Sequence, residues 1–474
     1  MTIPYAFQLD SVRQIHRFGY RSIVVGDPGV GKSLIALLAA RRLLDGDKQR
    51  RPVVVICPAG LKEHWSNEAA KHVGLTSEIL SGTKPPRRGQ LARVAPLVII
   101  NYEIVGSRRI KGKRTAPGWL DTLIGMNPLM VILDEGHRTS DPKATCSRAC
   151  KRICAASPHV LILSGTPVTN RPKNYFMLLH MVRPDLYPAF FPYAMEFTNP
   201  KRTYWGWDFN GASNLNKLHR QTTEQLAIRI RRDEVLKELP KKRRIVLPVE
   251  MSNREEYEQA LDDFAIWMTQ THGTAAARKA AKAMELSKKA HLKHLTAIGK
   301  LPAVFDWVDS FLEESEDKLL LFAWHKDVVD ALHNRWKGIS TTLTGSTPKG
   351  ERELRKREFT NSKHCRIMVG NLKAAGEGWS AKGIGATAVI ELAWTPGTMI
   401  QCEDRSVGIG RGVEGKSSLI YYLIAQNSIE TWLLELLTRK QKNISAVLDG
   451  GSREGDLDLQ KLLTQKLLEE RKNR

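Results

Sequence analysis

The chain has 474 residues, of which 42% are hydrophobic, so it is long enough for two or three domains with sizeable cores. Lys and Arg number 73 against 50 Asp and Glu; the net charge of +23 favours a polyanionic partner, nucleic acid first, although a need for solubility would also account for it. Six cysteines in a chain of this length indicate a reducing compartment rather than a disulfide framework. Neither a signal peptide nor a run of about 18 apolar residues is visible, so we expect no membrane partner.

Residues 22–44 have the order expected of a phosphate-binding site. Residues 22–25 (SIVV) predict a buried strand, residues 26–33 (GDPGVGKS) fit the pattern G-x-x-x-x-G-K-[ST], and residues 34–44 continue as an apolar helix. Backbone N–H groups of such a loop hold phosphate oxygens, which assigns a nucleotide-binding role to Asp27, Pro28, Gly29, Val30, Gly31, Lys32 and Ser33. Lys32 would reach the β- and γ-phosphates of ATP, and the Ser33 hydroxyl would ligate Mg²⁺. The alternative is an ordinary glycine-containing surface loop.

Apolar β-type runs alternate with helical patterns in both halves of the chain. In the first half they are residues 53–56, 97–100, 130–133 and 160–163. In the second half they are residues 319–322, 366–369, 388–392 and 419–424. Between about residues 184 and 301 strands are scarce, aromatic residues cluster and basic helical stretches appear. The alternation predicts an α/β protein with two mostly parallel sheets and a mostly helical insert between them.

An acidic pair follows one of these runs, in the sequence MVILDEGH. Asp134 and Glu135 would stand at the carboxyl end of the strand, where ligands of open α/β sheets bind. Asp134 would hold Mg²⁺, and Glu135 would position and deprotonate the attacking water. A solvated helix cap is the structural alternative for such a pair. Near the N-terminus, the amide of Gln8 would read an adenine edge, although a single Gln carries little weight.

Three cysteines recur at four-residue spacing, which places Cys146, Cys150 and Cys154 roughly along one helix face. A metal or cluster site would need a fourth ligand, and only His159 lies nearby in the sequence. We therefore expect these thiols to fill a seam between a helix and a sheet.

The motifs GDPGVGKS, DEGH, SGTP (residues 164–167) and QCEDRSVGIGRG (residues 401–412) resemble, in this order and spacing, those of superfamily 2 helicases. The segments ICPAGLKEHWSNEAAK (residues 56–71) and RRDEVLKELPKKRR (residues 231–244) are similar to signatures of Swi/Snf-type DNA translocases. YWGWDFNGASNLNKLH (residues 204–219) resembles an insert of the annealing-helicase branch, the HepA-related proteins that remodel stalled forks. The resemblance extends from Pro4 to about Asp449.

The resemblance implies two RecA-like lobes of the P-loop NTPase type that close on ATP and step along duplex DNA. It also assigns roles in the second lobe. The segment LKAAGEGWSAKGI (residues 372–384), which contains Gly378, resembles the motif that couples DNA backbone to nucleotide, and Arg405 matches an arginine of the last motif. Independently of the family, residues 229–244 carry eight basic and three acidic residues, a net charge of +5. That run is either a solvated face or a track for DNA phosphates.

Three departures from the family pattern stand out. DEAH is DEGH here, and Gly136 lacks only a methyl group, so we expect the change to be tolerated. Gly408 stands where the family has its second arginine, which normally acts across the lobe interface; Arg411, three residues on, is the candidate replacement. An arginine finger contributes on the order of 10³–10⁵ in rate in other phosphoryl-transfer enzymes. Annealing-branch proteins usually carry accessory modules outside the motor, so we expect translocation rather than annealing.

The sequence as a whole predicts a DNA-dependent ATPase and translocase that acts on duplex or forked DNA in replication, repair or remodelling. Lys32, Asp134, Glu135 and Arg405 would be catalytic. ATP and Mg²⁺ are the expected cofactors; single-strand-binding or replication proteins are possible further partners. The predicted boundaries are residues 1–190 and 301–449 for the lobes, 191–300 for the insert and 450–474 for a charged C-terminal helix. A strand-separating DNA or RNA helicase and a non-hydrolysing, nucleotide-gated DNA scaffold are the competing functions. A cytoplasmic location in a bacterial or viral system is favoured over a eukaryotic nucleus.

Overall fold

The structure, a computed structural model, describes residues 3–82, 95–106, 118–168, 171–204, 206–236, 242–270, 275–372, 384–405 and 418–449. The chain divides into two compact units. The first comprises Met1–Lys237 with Lys442–Asp456, and the second comprises Glu238–Gln441 with Leu457–Arg474. Each unit is built around one parallel sheet, as the alternating apolar runs predict.

The first unit contains a seven-stranded parallel sheet in the order β3-β4-β2-β5-β6-β1-β9. Its strands are β1 (Arg21–Gly26), β2 (Val53–Cys57), β3 (Ser77–Ile79), β4 (Leu97–Asn101), β5 (Met130–Asp134), β6 (His159–Ser164) and β9 (Ala227–Ile230). A separate antiparallel hairpin is formed by β7 (Lys201–Thr203) and β8 (Gly206–Asp208). The phosphate loop and the acidic pair therefore follow β1 and β5 at the same edge of one sheet.

Helices cover both faces of the first sheet. They are α1 (Ala6–Arg17), α2 (Lys32–Gly46), α3 (Lys62–Glu68), α4 (Tyr102–Val105), α5 (Leu120–Gly125), α6 (Thr145–Ala155), α7 (Phe176–Val182), α8 (Phe190–Phe197), α9 (Leu215–Gln225) and α10 (Arg232–Val235). Alternate residues of each strand enter separate cores: Val54 and Ile56 pack in one, and Val53 and Val55 in the other. Burial on both faces explains why these strands read as continuous apolar runs.

The second unit contains a six-stranded parallel sheet in the order β10-β15-β14-β11-β13-β12. Its strands are β10 (Lys242–Val249), β11 (Lys318–Ala323), β12 (Ser340–Leu343), β13 (Ile367–Asn371), β14 (Ile384–Val389) and β15 (Ser418–Ala425). Its helices are α11 (Arg254–Gln270), α12 (Ala275–Gly299), α13 (Leu301–Glu314), α14 (Lys326–Arg335), α15 (Lys349–Asn361), α16 (Pro396–Glu403) and α17 (Ile429–Asp449). The last turns of α17 are assigned to the first unit.

Residues 191–300 contribute to both units. The part up to residue 237 belongs to the first unit and supplies its edge strand β9, whereas β10, α11 and α12 belong to the second. The domain boundaries drawn from the sequence remain a prediction. Among the described residues, no helix is both long and apolar enough to cross a bilayer.

Candidate active site

The phosphate loop follows β1 and turns directly into α2. Gly29 and Gly31 have φ values of 86° and 79°, a region that side-chain-bearing residues rarely adopt. Val30, between them, is fully buried in the core above the sheet and fixes the loop to the domain. A Cβ atom at Gly31 would lie 2.5 Å from the side-chain amide nitrogen of Gln8, so a larger residue would displace that amide from the loop, and the positive φ itself favours glycine.

Lys32 and Gln8 both contact the loop backbone. Lys32 Nζ donates to the carbonyl oxygen of Gly26 at 2.9 Å and lies 3.4 Å from that of Asp27. Gln8 is buried, and its Nε2 donates to the carbonyl of Val30 at 3.1 Å, while its Oε1 accepts from the N–H of Tyr5 at 3.0 Å. The structure thus places Gln8 against the phosphate loop; its contact with adenine remains a prediction.

Asp27 joins the phosphate loop to β9. Its Oδ1 accepts from Arg229 Nη1 at 2.7 Å, and its Oδ2 accepts from the backbone N–H of Arg232 at 3.0 Å. The backbone N–H of Asp27 donates to the carbonyl of Ile230 at 3.0 Å. The loop is therefore held by the segment that begins the basic run, a role for Arg229 that the sequence did not suggest.

Asp134 ends β5 and is almost fully buried, with an exposed fraction of 6%. Its Oδ2 accepts from the indole N–H of Trp65 at 2.8 Å, and its backbone carbonyl accepts from the Tyr102 hydroxyl at 2.7 Å. Burial and the neighbouring charge of Glu135 raise the pKa of Asp134 to about 6, while the Trp65 hydrogen bond and the charge of Lys32 act in the opposite direction. The Asp134 carboxylate and the Lys32 ammonium group thus interact electrostatically.

Glu135 has a left-handed backbone conformation, with φ 51° and ψ 48°. Such strain in a residue with a side chain is characteristic of functional positions. Its Oε2 lies 3.3 Å from Nδ1 of His137, and the same nitrogen lies 3.1 Å from Oγ of Ser164. Ser164 Oγ also accepts from the N–H of Thr166 at 3.1 Å. His137 therefore connects the acidic pair to the SGTP turn at the end of β6.

Gly136 lies against the side chain of Ile162. A Cβ atom at Gly136 would stand 2.3 Å from Ile162 Cγ2, a methyl group of a fully buried, β-branched side chain. In a DEAH motif the methyl group of alanine would stand at this position. Here the Cγ2 methyl group of Ile162 occupies that space, which accounts for the glycine in physical terms.

The basic run at residues 229–244 is largely paired within the protein where the structure describes it. Arg231 contacts Asp233 and Glu234 within the same segment. On β10, Arg244 donates to both oxygens of Glu403, at 2.7 and 2.6 Å, and Lys242 Nζ lies 3.3 Å from the same carboxylate. Tracking of DNA phosphates by this run remains a prediction, and the pairing favours a structural role.

Glu403 is the buried centre of the contact with β10. Burial raises the pKa of Glu403, but the hydrogen bonds and charges of Arg244 and Lys242 outweigh it, and the pKa lies below its usual range. Arg405 follows α16 in the second unit and donates through Nε to the carbonyl of Gln401 at 3.1 Å. Gly378, Gly408 and Arg411 lie outside the described residues, so their assignments stay predictions.

The three-cysteine set packs as expected. Cys150 and Cys154 are buried in the core between α6 and the sheet, and Cys146 packs at its margin. Within the described ranges, no group of three or more His, Cys, Asp or Glu side chains has the arrangement of a metal site.

Comparison with known proteins identifies the family. The SNF2-related domain matches residues 14–297, more than half of the chain, and the helicase conserved C-terminal domain matches residues 300–410. These two matches confirm the resemblance on which the motif assignments rest.

Two curated relatives are similar to most of this chain. The SWI/SNF-related matrix-associated actin-dependent regulator of chromatin subfamily A-like protein 1 of Xenopus laevis is 28% identical over 92% of this chain and 43% of its own. The DNA annealing helicase and endonuclease ZRANB3 of Bos taurus is 27% identical over 94% of this chain and 40% of its own. The chain thus spans less than half the length of these relatives. Both are animal proteins and give no support to the expected bacterial or viral source.

Among solved structures, the Sulfolobus solfataricus SWI2/SNF2 ATPase core in complex with dsDNA aligns over 98% of this chain and 96% of its own, with 17% identity and a TM-score of 0.44. The family assignment rests on the two domain matches. The chain belongs to the SNF2-related family of helicase-like ATPases.

Proposed function

We propose that the protein couples ATP hydrolysis to translocation along duplex or forked DNA. The observation that carries this proposal is the position of Lys32, which follows β1, and of the Asp134–Glu135 pair, which stands at the end of β5, at one edge of the first sheet. A phosphate-binding lysine at the same sheet edge as a carboxylate pair, of which Asp134 is buried and Glu135 is partly exposed, is the arrangement that nucleotide hydrolysis requires.

The residues present fit a magnesium nucleotide. Asp134 and Glu135 bring two carboxylates together, and burial raises the pKa of Asp134 to about 6, so an added cation would stabilise its ionised form. Ser33 and Asp134 would hold the Mg²⁺ ion, and Lys32 with the loop N–H groups would hold the phosphates. The bound ion would supply positive charge beside the phosphoryl oxygens as negative charge develops on them.

The chain's own side chains then divide the remaining work. The Trp65 indole orients Asp134 by donating to its Oδ2 atom. The Glu135 carboxylate would accept the proton of the attacking water, and His137 Nδ1 lies 3.3 Å from its Oε2 atom. His137 also touches Ser164, so a change at the SGTP turn would reach Glu135 through one side chain.

DNA as the partner is supported by composition and by the relatives. The net charge of +23 favours a polyanion, and a curated relative is named as a DNA annealing helicase. The preference for duplex or forked DNA rests on the resemblance to the branch that remodels forks. Annealing itself is not part of the proposal.

Steady-state ATP hydrolysis tests the proposal. The purified protein is assayed alone and with single-stranded, duplex and forked DNA of equal nucleotide content, and Glu135→Gln serves as the matched blank because it keeps the shape of the side chain. We expect stimulation by duplex or forked DNA, together with displacement of a triplex-forming strand from a duplex track.

The remaining outcomes separate the competing functions. Nucleotide-dependent DNA binding without turnover above the Glu135→Gln blank would identify a scaffold and contradict the proposal. Turnover accompanied by efficient unwinding of a plain fork, without triplex displacement, would instead identify a strand-separating helicase.

A further inference from the structure

The β7–β8 hairpin presents an unusual set of exposed aromatic side chains. Its strands pair antiparallel, with Lys201 opposite Asp208, Arg202 opposite Trp207 and Thr203 opposite Gly206. Tyr204, at the turn, has an exposed fraction of 92%, and Trp207 has one of 43%. Single exposed apolar residues are common on protein surfaces, but a group concentrated on one projecting element indicates a contact surface.

The hairpin is fixed to the domain by a series of rings. Trp207 stacks on Phe209 with a centroid distance of 6.4 Å and an interplanar angle of 19°. Phe209 meets the edge of Phe190 at 5.4 Å, and Phe190 meets Phe176, in the core, at 5.4 Å. Because this ladder anchors one side of Trp207, the exposed surface of the ring is held in place.

A fifth ring extends the same surface. Phe191 has an exposed fraction of 50% and meets Trp207 at 6.3 Å with an interplanar angle of 78°. The exposed rings of Trp207 and Phe191 are thus contiguous and belong to a preformed surface. Preformed aromatic surfaces bind at a low cost in conformational entropy.

The same hairpin carries two exposed cations. Lys201 and Arg202 are exposed, and neither forms an ion pair within the described residues. Arg202 is directly opposite Trp207, and paired residues of antiparallel strands direct their side chains to the same face. Lys201 and its cross-strand neighbour Asp208 lie on the other face of the hairpin, where Asp208 Oδ1 accepts the backbone N–H of Asn210 at 3.0 Å. An exposed ring beside an exposed guanidinium is complementary to a base and its phosphate.

We propose that this hairpin binds single-stranded nucleic acid, with unpaired bases stacking on Tyr204 and Trp207 and with Arg202 contacting an adjacent phosphate. Duplex DNA hides its base faces within the stack, so the exposed rings select a strand that is already unpaired. The inference deepens the proposed function by adding a second, single-strand contact outside the ATP site. In a forked substrate, such a contact would hold an unpaired strand beside the duplex.

Binding of fluorescently labelled oligothymidine, measured by anisotropy without nucleotide, tests the inference. We expect Tyr204→Leu and Trp207→Leu each to raise the dissociation constant about tenfold, since base stacking on aromatic rings is worth that much per base. Tyr204→Phe keeps the ring and is expected to bind as the unchanged protein does. Leu354→Ala, an exposed apolar position in the second unit, is the surface control.

An oligonucleotide of the same length with abasic sites separates stacking from charge. It retains the phosphates, so the Tyr204→Leu variant and the unchanged protein are expected to bind it equally. Arg202→Gln is expected to reduce the dependence of log K on log salt by about 0.7, the contribution of one phosphate contact on a single strand.

Three outcomes would overturn the inference. The first is unchanged oligothymidine binding in both leucine variants, and the second is an equal loss of affinity for the abasic oligonucleotide. The third is a dimer of the unchanged protein that Tyr204→Leu dissociates, which would assign the surface to a second copy of the chain. ATP turnover on duplex DNA tests the proposed function separately. Single-strand binding that requires Tyr204 in a protein without turnover would leave the hairpin inference standing and remove the translocase.

Discussion

At Gly136, one methyl group decides whether the family's usual residue fits. Alanine there would place its Cβ 2.3 Å from Ile162 Cγ2, a contact that proteins do not tolerate without movement. We expect Gly136→Ala to destabilise the first unit by about 1–3 kcal/mol, the usual cost of overpacking a core. Thermal unfolding followed by circular dichroism measures the effect.

A double-mutant cycle tests the cause of that cost. Ile162→Leu moves the branch away from Cβ and removes the Cγ2 methyl, and alone it should cost less than about 1.5 kcal/mol. Combined with Gly136→Ala, it should recover most of the lost stability. Additive effects would show that Gly136 is required for a reason other than contact with Ile162.

Trp65 orients the buried carboxylate of Asp134 through a 2.8 Å hydrogen bond. Trp65→Phe removes the donor, so Asp134 loses the only side-chain donor that the described structure assigns to it. Outer-shell partners of this kind change metal affinity about 10–100-fold. We expect the Mg²⁺ concentration that gives half-maximal ATP turnover to rise about tenfold.

The matched control for this effect is Trp119→Phe. Trp119 is similarly buried and donates its indole N–H to the carbonyl of Gly82, but it does not contact Asp134. An equal rise in the Mg²⁺ requirement of both variants would mean that Trp65 acts through general stability.

Local sequence determined which side chains could be assigned in advance. Lys32 and Asp134 belong to short motifs whose chemistry is readable within a few residues. Trp65 and Arg229 do not, because their partners lie far along the chain: Trp65 is 69 residues from Asp134, and Arg229 is 202 residues from Asp27. Only the parallel sheet, which brings strand ends from distant segments to one edge, creates these contacts.

At the scale of elements, nine of the thirteen strands in the two sheets correspond to the apolar runs read from the sequence. The other four stand at the sheet edges: β3, β9, β10 and β12. Edge strands are less completely covered, so they tolerate polar residues, and they read SEI, AIRI, KRRIVLPV and STTL. The strand predicted at residues 388–392 begins and ends earlier in the structure, where β14 spans Ile384–Val389. Central strands are predictable because both faces are buried, whereas edge strands follow no such pattern.

The edge strand β9 is expected to control the phosphate loop through Arg229. Arg229→Gln removes the guanidinium that holds Asp27, and a less ordered loop should bind ATP more weakly. We expect KM for ATP to rise about tenfold, since a charge-assisted hydrogen bond is worth about 1.5 kcal/mol. The salt dependence of DNA binding should not change.

Arg231→Gln provides the comparison within the same basic run, because Arg231 pairs only with its exposed neighbours Asp233 and Glu234 in the described structure. It should leave KM for ATP unchanged. A weaker salt dependence of DNA binding in Arg229→Gln would instead support the phosphate-tracking role predicted from the sequence.

In the second unit, a buried lysine packs between two indoles. Lys293 Nζ lies 4.7 Å from the ring centroid of Trp324, 5.5 Å from that of Trp394 and 3.8 Å from Oε1 of Glu391. Glu391 Oε2 also accepts the backbone N–H groups of Trp324 and His325, at 2.7 and 2.9 Å. Burial lowers the pKa of Lys293 to about 8, against the opposing charge of Glu391.

The lowered pKa of Lys293 determines how the free energy of unfolding changes with pH. Between pH 8 and 10.5 the unfolded chain binds the Lys293 proton and the folded chain does not, so the free energy of unfolding attributable to this group rises with pH. Glu391, whose pKa is held at about 2 by His325 and Lys293 despite burial, stays ionised throughout.

Lys293→Met removes the titrating group. As the pH rises across that window, the free energy of unfolding of the unchanged protein should therefore increase relative to that of the variant, by up to about 3 kcal/mol. Unfolding midpoints measured from pH 7.5 to 10 test this expectation. Lys326→Met, at an exposed lysine of the same unit, should show no such trend. A constant difference at Lys293→Met would show that the amine does not titrate in this range.

At the scale of the whole molecule, the candidate chemistry is divided between the two units. Lys32, Asp134 and Glu135 belong to the first, and Arg405 belongs to the second. The first unit contains the groups that would bind phosphate and activate water. The family resemblance alone predicts that ATP turnover also requires a cationic side chain from the second unit.

The glycine at position 408 makes that dependence testable. Since Gly408 offers no charge where the family has an arginine, we expect Arg411 to supply it. Arg411→Ala should then lower kcat for DNA-stimulated ATP hydrolysis on the order of 10³-fold, the size of an arginine-finger effect, and leave ATP binding within about twofold. Gly408→Arg in the Arg411→Ala background should restore turnover, because it returns the guanidinium to the family position. A steady-state hydrolysis assay measures kcat, and titration with a fluorescent nucleotide measures the affinity for ATP. Undiminished turnover in Arg411→Ala would show that the charge comes from another residue, and Arg405→Ala would then be the variant that loses hydrolysis.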